Sequence, residues 1–126
     1  MGIYKSLPVI TEKIQVLKIM ENKIHDELMI LPLSVGEYYP DWKFAQDLCI
    51  ELAKNENSAI RANAVLGLAY IARTKGILEK HLVKPIILKE LRENHEYKWR
   101  IEDSIEDINR FLDWNLAHKH WEEQER

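Results

Sequence analysis

Apolar residues recur along this chain at spacings of three and four. Ile14, Leu17, Met20, Ile24, Leu28 and Leu31 form the first such series, which predicts one buried face of an amphipathic helix. Thr11 is placed to cap its start, and Pro32 to stop it. Residues 32–41, PLSVGEYYPD, hold two prolines and a glycine and read as a loop. Asp41 can then cap a helix whose face is Phe44, Ala45, Leu48, Cys49 and Leu52. After the polar turn Lys54-Asn55-Glu56-Asn57, either Asn57 or Ser58 caps a third helix through Ile60, Ala64, Val65, Leu68, Ile71 and Ala72, and Gly76 is suited to end it. Residues 77–94 carry Ile86, Ile87, Leu88 and Leu91 around Pro85, which predicts a kinked helix or a second helix opening at that proline. The last series is Trp99, Ile101, Ile105, Ile108, Phe111 and Leu112, in a helix expected to reach about Trp121. No alternating, strand-like run interrupts these series, so the expected fold class is all-α.

A shift of 39 residues lays the chain on itself. Leu48 falls on Ile87, Cys49 on Leu88, Leu52 on Leu91, Asn55 on Asn94, Ile60 on Trp99 and Arg61 on Arg100. Each unit reads as helix, short polar turn, helix, the form of a hairpin that cannot bury its apolar face alone and must stack on a neighbour. Within residues 57–72, Ile60-Arg61 followed by Ala64, Val65 and Leu68 resembles the second helix of a HEAT-type repeat. That resemblance implies stacked antiparallel hairpins in an α-α superhelix: capping helices in 1–31, a first hairpin in 42–74 and a second in 77–121, all in one domain 1–126. The second hairpin departs from the pattern, because Asp103 stands where Ala64 stands and Asp107 where Leu68 stands. Two carboxylates cannot enter a packing face unpaired without a large cost. The last helix is therefore expected to be rotated, or to cap the stack with a solvated face.

Composition narrows the function classes. The chain has 126 residues, 46% apolar and 31% charged, enough for one core and too apolar for wholesale disorder. Four Gly and four Pro are too few for a turn-rich β fold or a glycine-loop nucleotide site. Cys49 is the single cysteine, so no intrachain disulfide is expected and a reducing, cytoplasmic home follows. No leader peptide or membrane-spanning run is recognised. The net charge of −3 gives no global basic field to attract nucleic acid or an anionic membrane. Charge does segregate locally: residues 73–100 hold eight basic side chains against four acidic ones, and residues 101–113 five acidic against one basic.

Little in the chain points to catalysis. Glu102, Asp103, Glu106 and Asp107 form two carboxylate pairs at i, i+4, but metal-binding helical carboxylates need partners such as Glu-x-x-His, which does not occur. His118 and His120 stand two apart on the expected helix, where side chains do not converge. Cys49 lies on an apolar face with no histidine placed to activate it. No enzyme active site and no cofactor are expected. The candidate contact groups are the aromatics Tyr38, Tyr39 and Trp42 around the expected loop, where aromatic side chains favour recognition, and the acidic group Glu102, Asp103, Glu106 and Asp107.

Small, mildly acidic helical chains of this style resemble the bacterial immunity proteins of polymorphic toxin systems, including contact-dependent growth inhibition. The resemblance implies a protein partner, a cognate toxin domain of nuclease type that the chain would bind and neutralise, with no membrane, small-molecule substrate or direct nucleic-acid contact. On that reading the acids would steer a basic partner and the aromatics would anchor it. The alternatives are a HEAT-like nucleic-acid binder, for which the basic stretch 73–100 is the one supporting feature, and a regulatory adaptor.

Overall fold

The computed structural model of the chain describes residues 6–117. They form six helices and no strand: α1 Lys13–Asn22, α2 His25–Tyr38, α3 Trp42–Leu52, α4 Ser58–Lys75, α5 Lys80–Glu93 and α6 Lys98–Leu112. The fold is all-α. Helices α2, α4 and α6 lie side by side with α4 in the middle, while α3 packs on α4 and α2, and α5 packs mainly on α6. The central position of α4 explains its composition. Eleven of its residues are buried, among them Ala59, Ala62, Ala64, Ala69 and Ala72, because small side chains allow neighbours to close on several sides at once. In α6, at the edge of this layer, Ile101, Ser104, Ile105 and Ile108 are buried.

Several local signals act as the sequence predicts. The Asp41 carboxylate accepts from the amides of Lys43 and Phe44, and Asn57 Oδ1 accepts from those of Ala59 and Ile60. Gly76 ends α4 with φ of 69°, a conformation that favours glycine. The shift of 39 residues sets α3 over α5 and α4 over α6, and its repeated polar residues are structural. Asn55 Oδ1 accepts from Asn57 N at 2.8 Å, and Asn94 Oδ1 accepts from Tyr97 N at 3.3 Å. Arg61 Nε meets the buried Glu90 at 3.1 Å, a carboxylate of the following hairpin. Arg100, the residue matched to Arg61, has a different kind of acceptor: its guanidinium donates to Asn63 Oδ1.

The expected helix through Leu31 is two helices. Lys23 adopts a left-handed conformation (φ 55°, ψ 34°), and the chain restarts at His25. Ile14, Leu17 and Ile24 are consequently exposed, and Val16 is the buried residue of α1. Thr11 is not the cap: Glu12 takes that position, and Gln15 Oε1 accepts from the amides of both Thr11 and Glu12. Pro32 does not end a helix, and residues 32–38 are not a loop; α2 runs through Pro32 to Tyr38. Pro32 deprives the Leu28 carbonyl of its helical donor, yet burial of Leu28, Leu31, Pro32, Ser34, Val35 and Gly36 holds the segment helical. Pro85 likewise lies inside a continuous α5 and opens no new helix.

The last helix does not reach Trp121. It stops at Leu112, where Asp113 turns left-handed (φ 56°). The Asn109 side chain clasps the following segment: its Oδ1 accepts from Leu116 N at 2.7 Å, and its Nδ2 donates to Leu116 O at 3.0 Å. That clasp seats Leu116 in the core. Trp114 therefore lies beyond α6 rather than on it. Trp121, His118 and His120 fall outside the described residues, as do residues 1–5 of the expected capping segment.

The link between α3 and α5 supplies a pH-sensitive element. Buried Gln46 donates through Nε2 to Glu79 Oε1 at 2.8 Å and accepts from Glu79 N at 2.6 Å, while Lys43 pairs with Glu79 and, at 3.3 Å, with Asp47. The bond from Lys43, then that from Gln46, holds the Glu79 carboxyl below the usual carboxylate range; the bond to Glu79 holds the Lys43 ammonium above its usual range. A carboxylate lowered on folding stabilises the fold above its unfolded value, about 4.3 for glutamate, and that stabilisation disappears as pH falls through the folded value. At the alkaline end, the raised Lys43 loses the contribution of the same contact as pH rises past about 10.4 and through its folded value. Glu79→Gln is therefore expected to flatten the acid limb of a plot of melting temperature against pH. An acid limb as steep as that of the wild-type protein contradicts this assignment.

Candidate functional site

The two groups of candidate contact residues are dispersed by the fold. Tyr38 is the last residue of α2 rather than part of a loop, and it borders a polar recess with Ser6, Glu37, Tyr70 and Arg73. Glu37 and Arg73 pair across that recess, and the Arg73 guanidinium lies 4.7 Å from the Tyr70 ring centroid. Tyr39 is only 7% exposed and stacks on Phe44, with ring centroids 4.7 Å apart. It is a core residue, which corrects its expected place on a recognition loop. Trp42 opens α3 half-buried against the core. The three aromatics therefore do not form one exposed patch.

The acids of α6 are also divided. At 100° per residue, Trp99, Asp103, Glu106 and Arg110 share one stripe opposite the buried Ile101, Ile105 and Ile108, while Glu102 and Asp107 flank it on either side. Glu106 and Asp103 are exposed. Glu102 is half-buried and engaged by a neighbour. Asp107, also half-buried, lies 3.8 Å from Arg110 Nη1 on its own helix. Neither Asp103 nor Glu106 has a hydrogen bond or ion pair with another described residue. The solvated-face expectation for α6 thus holds for Asp103, and the buried face turns Ile101, Ile105 and Ile108 inward instead.

A groove of about 420 Å³ crosses the exposed side of the α2, α4, α6 layer. Met29 and Leu33 of α2, Asn63 and Leu66 of α4, and Trp99, Arg100 and Asp103 of α6 line it. Its floor is cross-linked. Asn63 Nδ2 donates to Met29 O at 2.8 Å, and Asn63 Oδ1 accepts from Arg100, so one amide ties three helices together. The Arg100 guanidinium is further held 5.1 Å from the Trp99 centroid and 5.3 Å from that of Tyr97. Trp99 is 59% exposed, whereas the 39-residue match to Ile60 predicts a packed side chain there. The signal for its exposure is its spacing: Trp99 keeps company with Asp103 and Glu106 at i+4 and i+7, not with the isoleucines.

Chemistry is sparse. Cys49 is fully buried, and burial pushes its thiol well above the usual range, which keeps it protonated and unreactive at neutral pH. No group of three or more His, Cys, Asp or Glu is placed to hold a metal ion among the described residues. No helix there is long and apolar enough to cross a membrane.

No protein-family model matches the chain, and no curated protein matches it. Among solved structures, it is similar to one chain of a CDI complex from Cupriavidus taiwanensis LMG 19424, with a TM-score of 0.75 at 18% sequence identity. The likeness spans 88% of this chain and 98% of that one, so the two share a fold over nearly the whole of the other chain.

Proposed function

We propose that this chain is a non-catalytic immunity protein that binds and neutralises a cognate toxin domain of a contact-dependent growth inhibition system. The fold shared with nearly all of a chain from a CDI complex carries this reading. Two features of the residues support it. The exposed side of the α2, α4, α6 layer offers an apolar groove bordered by an exposed tryptophan, a feature suited to a protein partner. The exposed acids beside it suit a basic partner, as a nuclease domain would be. Ile60-Arg61, with its arginine bridging to the next hairpin, supports a HEAT-like description of the stack, working in the cytoplasm where such a toxin would act.

Co-expression with the product of the neighbouring upstream gene tests the reading. The expected result is a complex that survives size-exclusion chromatography and suppresses the toxicity of that product. Absence of a toxin-like neighbour, or of any complex with it, rejects the proposal.

A further inference from the structure

The groove also indicates which part of a toxin it would take. We propose that it is the docking site, and that its occupant is a segment presenting an aliphatic side chain together with a lysine or arginine. This inference rests on the immunity reading above and assigns it a surface and a partner chemistry.

The apolar part of the groove is Met29, Leu33 and Leu66, with the exposed Trp99 as one wall. Burying such surface under an aliphatic side chain is the ordinary source of affinity at an interface centre. The rim on the α6 side supplies the charge preference. Asp103 and Glu106 are carboxylates without a described partner, one helical turn apart and on the same stripe as Trp99. The two carboxylates favour a cationic side chain, while the Trp99 ring, already covered on one side by the Arg100 guanidinium, serves as the apolar wall beside them. The groove is also organised in advance: Asn63 fixes α2 to α6 through Met29 O and Arg100, so little ordering is left to offset on binding. The exposed apolar residues Ile14 and Leu17 of α1 and Ile24 before α2 are the rival candidates, but they bring no comparable pair of unpartnered acids beside an aromatic ring.

The test uses the full chain and the purified toxin domain encoded beside it, with affinity measured by calorimetry and association by stopped flow at two salt concentrations. Trp99→Ala is expected to raise Kd by about tenfold or more, as loss of an aromatic anchor does. Asp103→Lys and Glu106→Lys are expected to slow association several-fold and to weaken its salt dependence. All three positions are exposed, so melting temperatures close to wild type verify that the variants fold. Leu17→Glu serves as the control at the rival residues and is expected to bind as wild type. If the wild-type complex forms but the Trp99, Asp103 and Glu106 variants bind unchanged, the docking site is overturned and the immunity reading stands. Loss of binding confined to Leu17→Glu likewise overturns it in favour of α1. Failure of the wild-type chain to bind overturns both.

Discussion

Replacing Glu90 with alanine is expected to destabilise the protein by about 3 kcal/mol, the lower end of what breaking a buried ion pair costs. Glu90 is 2% exposed and its carboxylate accepts from Arg61 Nε at 3.1 Å and Asn94 Nδ2 at 3.0 Å. Arg61 in turn donates to the carbonyls of Asn55 and Glu56, both at 2.9 Å, and Asn94 to that of Ser58 at 2.9 Å. Removing the carboxylate takes from the guanidinium its counter-charge and from the Asn94 amide one of its two acceptors, at the point where the α3–α4 and α5–α6 turns meet. Partial access of Arg61 to water, with its side chain 22% exposed, keeps the loss from the upper end of the range. Glu90→Gln retains an acceptor and is expected to cost less than alanine. The double variant Arg61→Met, Glu90→Leu is expected to recover part of the loss, because it removes the stranded charge as well as its partner. Urea unfolding measures all three. Equal losses for glutamine and alanine, or a loss below about 1 kcal/mol, the scale of an exposed pair, would contradict this account.

The second large effect is expected at Gly67. On an exposed helix, Gly→Ala stabilises by about 1 kcal/mol. Here the sign is expected to reverse, with a net loss of about 2–3 kcal/mol from overpacking. A Cβ at Gly67 would stand 2.6 Å from the Pro32 carbonyl oxygen and 2.9 Å from Cys49 Sγ. Gly36 makes the reciprocal approach, with a Cβ 2.6 Å from the Gly67 carbonyl oxygen. Helices α2 and α4 thus meet nearly backbone to backbone, which two glycines permit and any side chain would prevent. The Pro32 contact is with main chain and cannot swing aside. A Cys49→Ala background is therefore expected to shrink the penalty of Gly67→Ala without abolishing it. Guanidinium unfolding of the four variants in that cycle reads the effect, and a stabilised Gly67→Ala protein would show that the helices separate freely.

What the sequence makes legible in this fold follows the range of the forces involved. Asp41, Asn57 and Gly76 were legible because a cap acts within three or four residues of itself. The faces of α3 and α4 were legible because helical periodicity repeats within each element. Pro32, Gly36 and Gly67 carry local signals for interruption, but their meaning here is set by a helix–helix approach between segments more than thirty residues apart. The end of α6 is not legible locally for a related reason: the apolar series continues past Leu112, and the Asn109–Leu116 clasp holds the diverted chain.

The candidate surface divides in the same way. The acidity of 101–113 follows from residue types alone, and helical spacing sets Asp103 apart from the isoleucines. But a carboxylate is buried only with a partner, as Glu90 is, so the exposure of Asp103 is decided by what the fold places across from it. Which aromatic stands beside those acids does not follow. Tyr39 stacks on Phe44 in the core, while Trp99, placed by the repeat at a packing position, stands at the rim of a groove built by three helices. Residue chemistry thus established a chain of capped amphipathic helices with an acidic terminal face. The tertiary arrangement alone decided which neighbours those faces met, since burial depends on what lies across the interface and no local pattern encodes that.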